Sequence, residues 1–411
     1  MSTFHLFERH GVEMEYMIVD RESLDVRPIA DFVLEKASGE KEASDAEFGR
    51  MAWSNELVRH VLEFKTAAPE PALDDLAELF QAEVVRANSM LAEKGAMLLP
   101  TGMHPWMNPH AETVLWPYGN KEIYQAFNRI FDCRGHGWSN LQSTHINLPF
   151  QGDDEFHRLH SAIRVVLPLI PAISASTPFA DGRACPFLDT RLETYRHNCD
   201  RVPSITAGVV PVVITSEAEY REKILGKIYS DMEKLDPEGI LRDEWANARG
   251  AIARFERNTV EIRVIDLQEC PAADMGIVRY VTALVKALVE ERLSPTEAQD
   301  AVPQEELHDT FSACVRDAGN ALVDSKGLLK ALGIGAKGPL KARDVHAALL
   351  EKLAPEGTPW KGVVAGIVRN GSLAERIRRA AGEKPGRERL KEVYARLGEC
   401  LAKGEVFAAN V

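Results

Sequence analysis

Gly11-Val12-Glu13-Met14-Glu15-Tyr16-Met17-Ile18-Val19-Asp20 is the stretch whose reading decides the fold. Val, Met, Tyr and Ile follow one another there with few helix-capping signals, so the segment reads as a β-strand. A strand period of two puts Glu13 and Glu15 on one face and Val12, Met14 and Tyr16 on the other. Two like charges about 4 Å apart repel by roughly 4 kcal/mol at an effective dielectric near 20. A hard divalent cation would offset that repulsion. The plainer alternative is an edge strand with two solvated glutamates.

Three later segments put more polar side chains into apolar, strand-like surroundings. They are Glu56-Leu57-Val58-Arg59-His60-Val61-Leu62-Glu63-Phe64-Lys65-Thr66, Ser143-Thr144-His145-Ile146-Asn147-Leu148, and Thr259-Val260-Glu261-Ile262-Arg263-Val264-Ile265-Asp266. His145 and Asn147 share a face, as do Glu261 and Arg263. Glu56 and Glu63 are spaced so that one unbroken strand would set them on opposite faces, which predicts a bulge or a short irregular segment between them. Carboxylates, an imidazole and a guanidinium on four strands exceed ordinary surface patterning.

The 411 residues can build a large core, and one extended catalytic domain with an appendage fits the length. An apolar share of 45% and a charged share of 27% are those of a soluble globular protein. A net charge of -13 argues against a nucleic-acid surface, which is normally basic. Cys133, Cys185, Cys199, Cys270, Cys314 and Cys400 are scattered, with no CxxC pair, and read as reduced thiols. Residues 1–10 lack an apolar signal core and no run is apolar enough to span a bilayer, so a cytoplasmic location is expected, with no membrane partner.

Around these strands the chain reads mostly as helix. Glu35 to Ala46 is a charged loop, and Pro71 to Gly95 is a helix ended by Gly95. Ala96 to Gly102 returns as a strand, and His104 and His110 follow in a Pro-containing loop. Tyr118 to Phe131 holds a helix, and the helix from Asp153 to Ser176 is interrupted at Pro168 and Pro171. Arg183, Arg191, Arg196 and Arg201 form a cationic group suited to carboxylate or phosphate oxygens. Ala207 to Thr215 reads as an apolar strand interrupted by Pro211. Glu217 to Asp236 is a charged helix, Ile252 to Glu256 and Val260 to Asp266 form a hairpin around Asn258, and Ala272 to Arg292 is an amphipathic helix. That helix closes a catalytic domain of residues 1–293. Residues 294–411 read as a helical C-terminal region without strand alternation, interrupted at Gly333-Ile334-Gly335 and from Pro355 to Pro359. Within it Ser372 and Glu375 match a capping box.

Carboxylates and one histidine on neighbouring antiparallel strands, faced by arginine, suit divalent cations clamping nucleotide phosphates. No Walker-type loop and no HExxH occurs. At this point a resemblance becomes specific. Gly11 to Glu15, Glu56 through Glu63-Phe64-Lys65-Thr66, Pro100-Thr101-Gly102-Met103-His104-Pro105, Thr144 to Asn147 and Val260 to Asp266 occur in the order seen in the carboxylate-amine ligases of the glutamate-cysteine ligase type 2 family, in the glutamine synthetase superfamily.

The resemblance implies an α+β fold, a glutamine synthetase-like catalytic domain whose curved antiparallel sheet is flanked by helices. It implies that Glu13, Glu15, Glu56, Glu63, His145 and Glu261 hold two or three Mg²⁺ ions around ATP, with Mn²⁺ able to substitute. Arg263 would touch the transferred phosphate, with Glu63 and His145 also catalytic and Asn147 on the nucleotide side. Arg191 and Arg196 would bind the substrate carboxylate. The implied reaction joins a carboxylate, the γ-carboxyl of glutamate, to an amine such as cysteine through an acyl phosphate. Its partners are those small molecules, a homo-oligomer being compatible with the reading. A guanidino kinase of the same superfamily fold and a catalytically silent nucleotide or metabolite sensor are the alternatives.

Overall fold

The computed structural model describes residues 4–355 and 357–409. Residues 1–3 of the amino-terminal reading, and Glu356 in the Pro355–Pro359 interruption, lie outside the described residues. The opening stretch is strand β1 (Gly11–Asp20), and it is central. With β2 (Asp45–Phe48), β3 (Met51–Asn55), β4 (Val61–Thr66), β5 (Ala96–Leu99) and β6 (Ser143–Pro149) it builds most of one open sheet. Past the small ladder of β7 (Phe179–Ala180) and β8 (Arg183–Ala184), the hairpin of β9 (Ala251–Arg254) and β10 (Thr259–Asp266) completes it. The order is β2-β3-β4-β1-β6-β10-β9, with β5 pairing the far half of β1, and every pairing is antiparallel.

One face of the sheet is the main core. Val12, Met14, Tyr16 and Ile18 are fully buried there beside Phe64, Ile146, Leu148, Val260 and Ile262. Trp53, Phe64 and Tyr16 stack in sequence across β3, β4 and β1, neighbouring ring centroids 5.1 Å apart. Helices Leu76–Ala92, Gly152–Val166 and Pro271–Val289 close over this face. Each such buried side chain contributes about 1.5–3 kcal/mol, so the alternation of β1 specifies which face looks inward. On the opposite face Met17 and Val19 are covered by helices Leu373–Ala381 and Arg387–Lys403. That leaves only the Glu13 and Glu15 half of β1 open on this side.

Several readings change. Glu35 to Ala46 is not one loop: helix Ala30–Ser38 runs into it, and β2 begins at Asp45, paired to β3 through Gly49 at φ 68°. Ala207 to Thr215 is not a strand. Ala207, Gly208 and Val209 all have positive φ, and Val209 and Val210 are buried by an irregular loop. Burial alone mimics a strand pattern when side chains plug a core from a turn. Helix Pro271–Val289 is buried almost all round, not amphipathic, because the helices of residues 294–370 pack on the side away from the sheet. The C-terminal region also holds a two-residue ladder of β11 (Leu322–Val323) and β12 (Leu340–Lys341). Residues on both sides of position 293 share one apolar core. The capping box of Ser372 and Glu375 is present.

Candidate active site

The site follows from register. Glu15 pairs with Glu63 across β1 and β4, Glu13 pairs with His145 across β1 and β6, and Glu261 pairs with Asn147 across β10 and β6. Period-two alternation then puts all six side chains on the face left open. Glu56 joins them from the irregular segment between β3 and β4, which breaks the strand as its spacing from Glu63 requires. A bulge in β10 between Ile262 and Ile265 inserts one residue against β6, so Asp266 pairs with Ser143 and faces the site side instead of the core.

The polar groups interlock. Glu13 Oε2 lies 2.9 Å from His145 Nδ1, and Asn147 Nδ2 donates to Glu13 Oε1 at 3.1 Å. Glu15 Oε2 accepts from the Ser143 amide at 2.6 Å and its hydroxyl at 2.9 Å. Glu63 Oε1 accepts from Ser54 Oγ at 2.7 Å and Lys65 Nζ at 2.8 Å. Arg263 Nε stands 3.1 Å from Glu261 Oε1, and Arg254 Nη1 is 3.6 Å from the other oxygen. Sequence reasoning gave no role to Ser54, Lys65, Ser143 or Arg254. Lys65, two residues past Glu63 on the same strand, was the legible one.

Charge is unevenly balanced. Burial, and after it the charges of Glu15 and Glu63, hold the Glu56 carboxyl well above the usual carboxylate range. Glu15 is raised by burial, with His145 opposing and Glu63 adding to the shift. Burial resists protonation of His145, but its hydrogen bond to Glu13 and the charges of Glu15 and Glu261 outweigh it, so its pKa rises. Burial also resists ionisation of Glu261, yet Arg263, His145 and Arg254 bring its pKa down.

Among the described residues, two groups of side chains could hold a metal ion. Glu13, Glu63 and His145 offer ligand atoms within 4.8 Å of one another, and so do Glu15, Glu56 and Glu63. Carboxylate oxygens with a single imidazole are a donor set for Mg²⁺ or Mn²⁺. Glu63 belongs to both groups. Glu15 and Glu56, raised among crowded like charges, are groups whose repulsion a divalent cation would relieve, so the residues fit the metal.

Arg191 is buried on the same side. Its Nε donates to Asp266 Oδ1 at 2.5 Å and its Nη2 to the Arg263 carbonyl at 3.3 Å. Asp266 also accepts from the Ser176 amide and from Thr177 Oγ1. Gly102 fits against this pair because a Cβ there would lie 2.8 Å from Asp266 Cγ. Arg191, Arg263, Glu15, Glu56 and His145 line one cavity of about 200 Å³. Arg196 does not line it: Glu193 holds its guanidinium at 2.6 Å and Ser312 at 3.1 Å. His104 is a fully buried residue whose Nε2 bonds the Leu24 carbonyl, and burial holds it neutral, down to about 4. His110 is exposed on the short helix Pro109–Glu112.

The site is thus a carboxylate-lined cavity on the face of an open antiparallel sheet opposite its main core. The crystal structure of glutamate–cysteine ligase from Francisella tularensis in complex with AMP has the same fold, with a TM-score of 0.59 at 11% identity over 97% of this chain and 90% of that one. Residues 9–395 match the model of glutamate-cysteine ligase family 2, and the chain belongs to that family of carboxylate-amine ligases. An uncharacterized protein of Archaeoglobus fulgidus is 34% identical over 397 residues, 97% of this chain and 99% of its own. A Rubrobacter xylanophilus protein provisionally named glutamate–cysteine ligase 2-3 is 26% identical over 68% of this chain and 69% of its own.

Proposed function

We propose that the protein is an ATP- and Mg²⁺-dependent ligase that joins a carboxylate, with the γ-carboxyl of glutamate as first candidate, to an amine. The family name offers cysteine as that amine. One observation carries the reading: Glu13, Glu15, Glu56, Glu63, His145 and Glu261 come from distant parts of the chain to one sheet face beside Arg263. Bound Mg²⁺ would neutralise phosphate oxygens, which is most of what phosphoryl transfer requires besides positioning.

This chain's residues supply the rest. Glu13, Glu63 and His145 form one cation seat, and Glu15, Glu56 and Glu63 the other, with Glu261 beside His145 and Asn147 on the nucleotide side. Arg263, kept from swinging away by Glu261, meets the transferred phosphoryl group. Arg191, locked by Asp266, presents a guanidinium to the acid. The acid's oxygen bonds to the γ-phosphorus as ADP leaves; the nitrogen of the neutral amine then bonds to the acyl carbon as inorganic phosphate leaves, carrying away the proton that the amine gives up.

The test supplies ATP, Mg²⁺ and glutamate, screens amino acids and simple amines for ADP release, and identifies the product by mass. Amine-dependent ADP release with an amide product is expected. ADP release yielding a stable phosphorylated guanidine would transfer the assignment to a kinase, and nucleotide binding without turnover would make the protein a sensor.

A further inference from the structure

The cavity beside the carboxylates has a second half that phosphoryl transfer does not use. Phe127 from helix Lys121–Phe131, Trp138 from the turn of helix His136–Ser139 and Trp245 from the turn Glu244–Ala246 form its wall. The Phe127 ring stands between the two indoles, its centroid 5.2 Å from Trp138 and 5.5 Å from Trp245. All three rings pack on the core, yet none is fully buried. Three separate segments thus leave part of each ring accessible at the cavity, Trp138 being stacked on Phe131 as well, and an apolar ligand group would cover what is left open.

Among the described residues, two oxygens on side chains lining the same cavity have no hydrogen-bond partner: Tyr195 Oη, on a residue only 8% exposed, and Asn198 Oδ1. Asn198 is held in place, its Nδ2 donating to the Gly137 carbonyl at 2.9 Å and its own carbonyl accepting from Trp138 Nε1 at 3.0 Å. A withdrawn acceptor without a donor costs stability until a ligand N–H reaches it. The ring faces also sort the two substrates. Their negative faces attract an ammonium group and disfavour a carboxylate, for which the guanidinium groups of Arg191 and Arg263, lining the same cavity, compete instead.

Resting on the ligase reading, we propose that this aromatic half is the amine subsite and that the co-substrate is an amine bearing an aryl or bulky alkyl group. The substituent covers Phe127, Trp138 and Trp245, and Asn198 Oδ1 and Tyr195 Oη accept from N–H groups. A thiol-bearing side chain as short as that of cysteine would cover less of the ring area that remains exposed.

Two measurements on the full chain test this. The first needs no turnover: intrinsic tryptophan fluorescence is titrated with phenethylamine, ethanolamine and cysteine. Phenethylamine is expected to bind at least tenfold more tightly than either, with the advantage lost in Trp138→Ala and kept in Trp245→Phe, which retains a ring. Equal or tighter cysteine binding overturns the proposal, as does an advantage that survives Trp138→Ala in a variant with native circular dichroism. The second compares kcat/KM for ADP release with ATP, Mg²⁺ and glutamate. A tenfold preference for phenethylamine or isopentylamine over cysteine supports the subsite, and the reverse order rejects it. Selective aryl-amine binding with no amine-dependent ADP release would support the aromatic site while ending the ligase reading.

Discussion

Glu15 of β1 and Glu63 of β4 are direct cross-strand partners on the open face of the sheet, and each is less than a tenth exposed. Like charges directly opposite destabilise a sheet pair. Here Ser143 bonds one carboxylate and Lys65 with Ser54 the other, so the pair is supported from both sides yet unpaired between. Such an arrangement costs stability, and on the proposed reading a bound cation would offset that cost.

Glu56→Gln tests that trade directly. Removing a carboxylate from beside Glu15 and Glu63 should raise the melting temperature of the chelator-treated protein by about 1–2 °C. It should also abolish the extra stabilisation that Mg²⁺ or Mn²⁺ gives the native protein. Thermal melts with and without the cation read both effects, and a lower metal-free melting temperature contradicts the charge argument.

Glu13→Gln and Glu63→Gln should each abolish Mg-ATP turnover while leaving far-ultraviolet circular dichroism unchanged. Glu63 serves both cation groups, so its substitution should weaken Mn²⁺ binding more than that of Glu13. Full turnover in both variants would withdraw the metal assignment.

Gly102→Ala should act on the acid's subsite from outside it. The added Cβ would crowd Asp266 and Thr177, at 2.8 Å and 3.0 Å, and push the carboxylate that locks Arg191. Overpacking of this kind costs about 1–3 kcal/mol, and KM for the acid should rise more than KM for ATP. An unchanged acid KM would show that Arg191 is not held for the acid.

The buried pair Arg376–Glu269 ties helix Leu373–Ala381 to the segment that follows β10. Arg376 Nη1 donates to Glu269 Oε1 at 2.5 Å and to the Phe407 carbonyl at 2.8 Å. Arg376→Ala strands a carboxylate with no exposure, which costs roughly 3–5 kcal/mol. Urea unfolding should stay a single transition at a lower midpoint. A separate early transition would mean that residues 294–411 unfold on their own.

Four buried histidines should draw stability down in mild acid. Burial is the first cause that holds His60, His104 and His346 down to about 4 and His160 down to about 3. An unfolded histidine titrates near 6.5. Below that pH the unfolded chain takes up protons that the native one refuses, so stability is full above about 6.5 and declines towards 4 by up to about 1.4 kcal/mol per pH unit for each histidine. Asp274, pushed up to about 8 mainly by burial, works in the other direction, its native form keeping a proton that the unfolded chain has lost. Glu15, Glu56 and Asp189, also raised first by burial, act the same way as Asp274, so the histidine share is read from a variant: His160→Phe should lose less stability between pH 7 and 5 than the native protein does. Equal slopes of urea midpoint against pH in the two proteins would refute it.

Much of this was legible before any coordinates. Local alternation determined that β1, β6 and β10 are strands and which of their side chains share a face, because the period of two is a property of the backbone itself. The odd spacing of Glu56 and Glu63 required the break that the structure shows. Ser372 and Glu375 announced their cap for the same local reason. The β2–β3 hairpin, the irregular path of Val209 and the near-total burial of Pro271–Val289 were not legible, since each depends on what packs against it.

What the sequence by itself determined is therefore a set of faces. Only the tertiary structure decided that Glu15 stands against Glu63, that the β10 bulge swings Asp266 to Arg191, and that Phe127, Trp138 and Trp245 meet beside them. Pairing register and loop closure are settled by contacts between residues far apart in the chain, whose energies no local window contains.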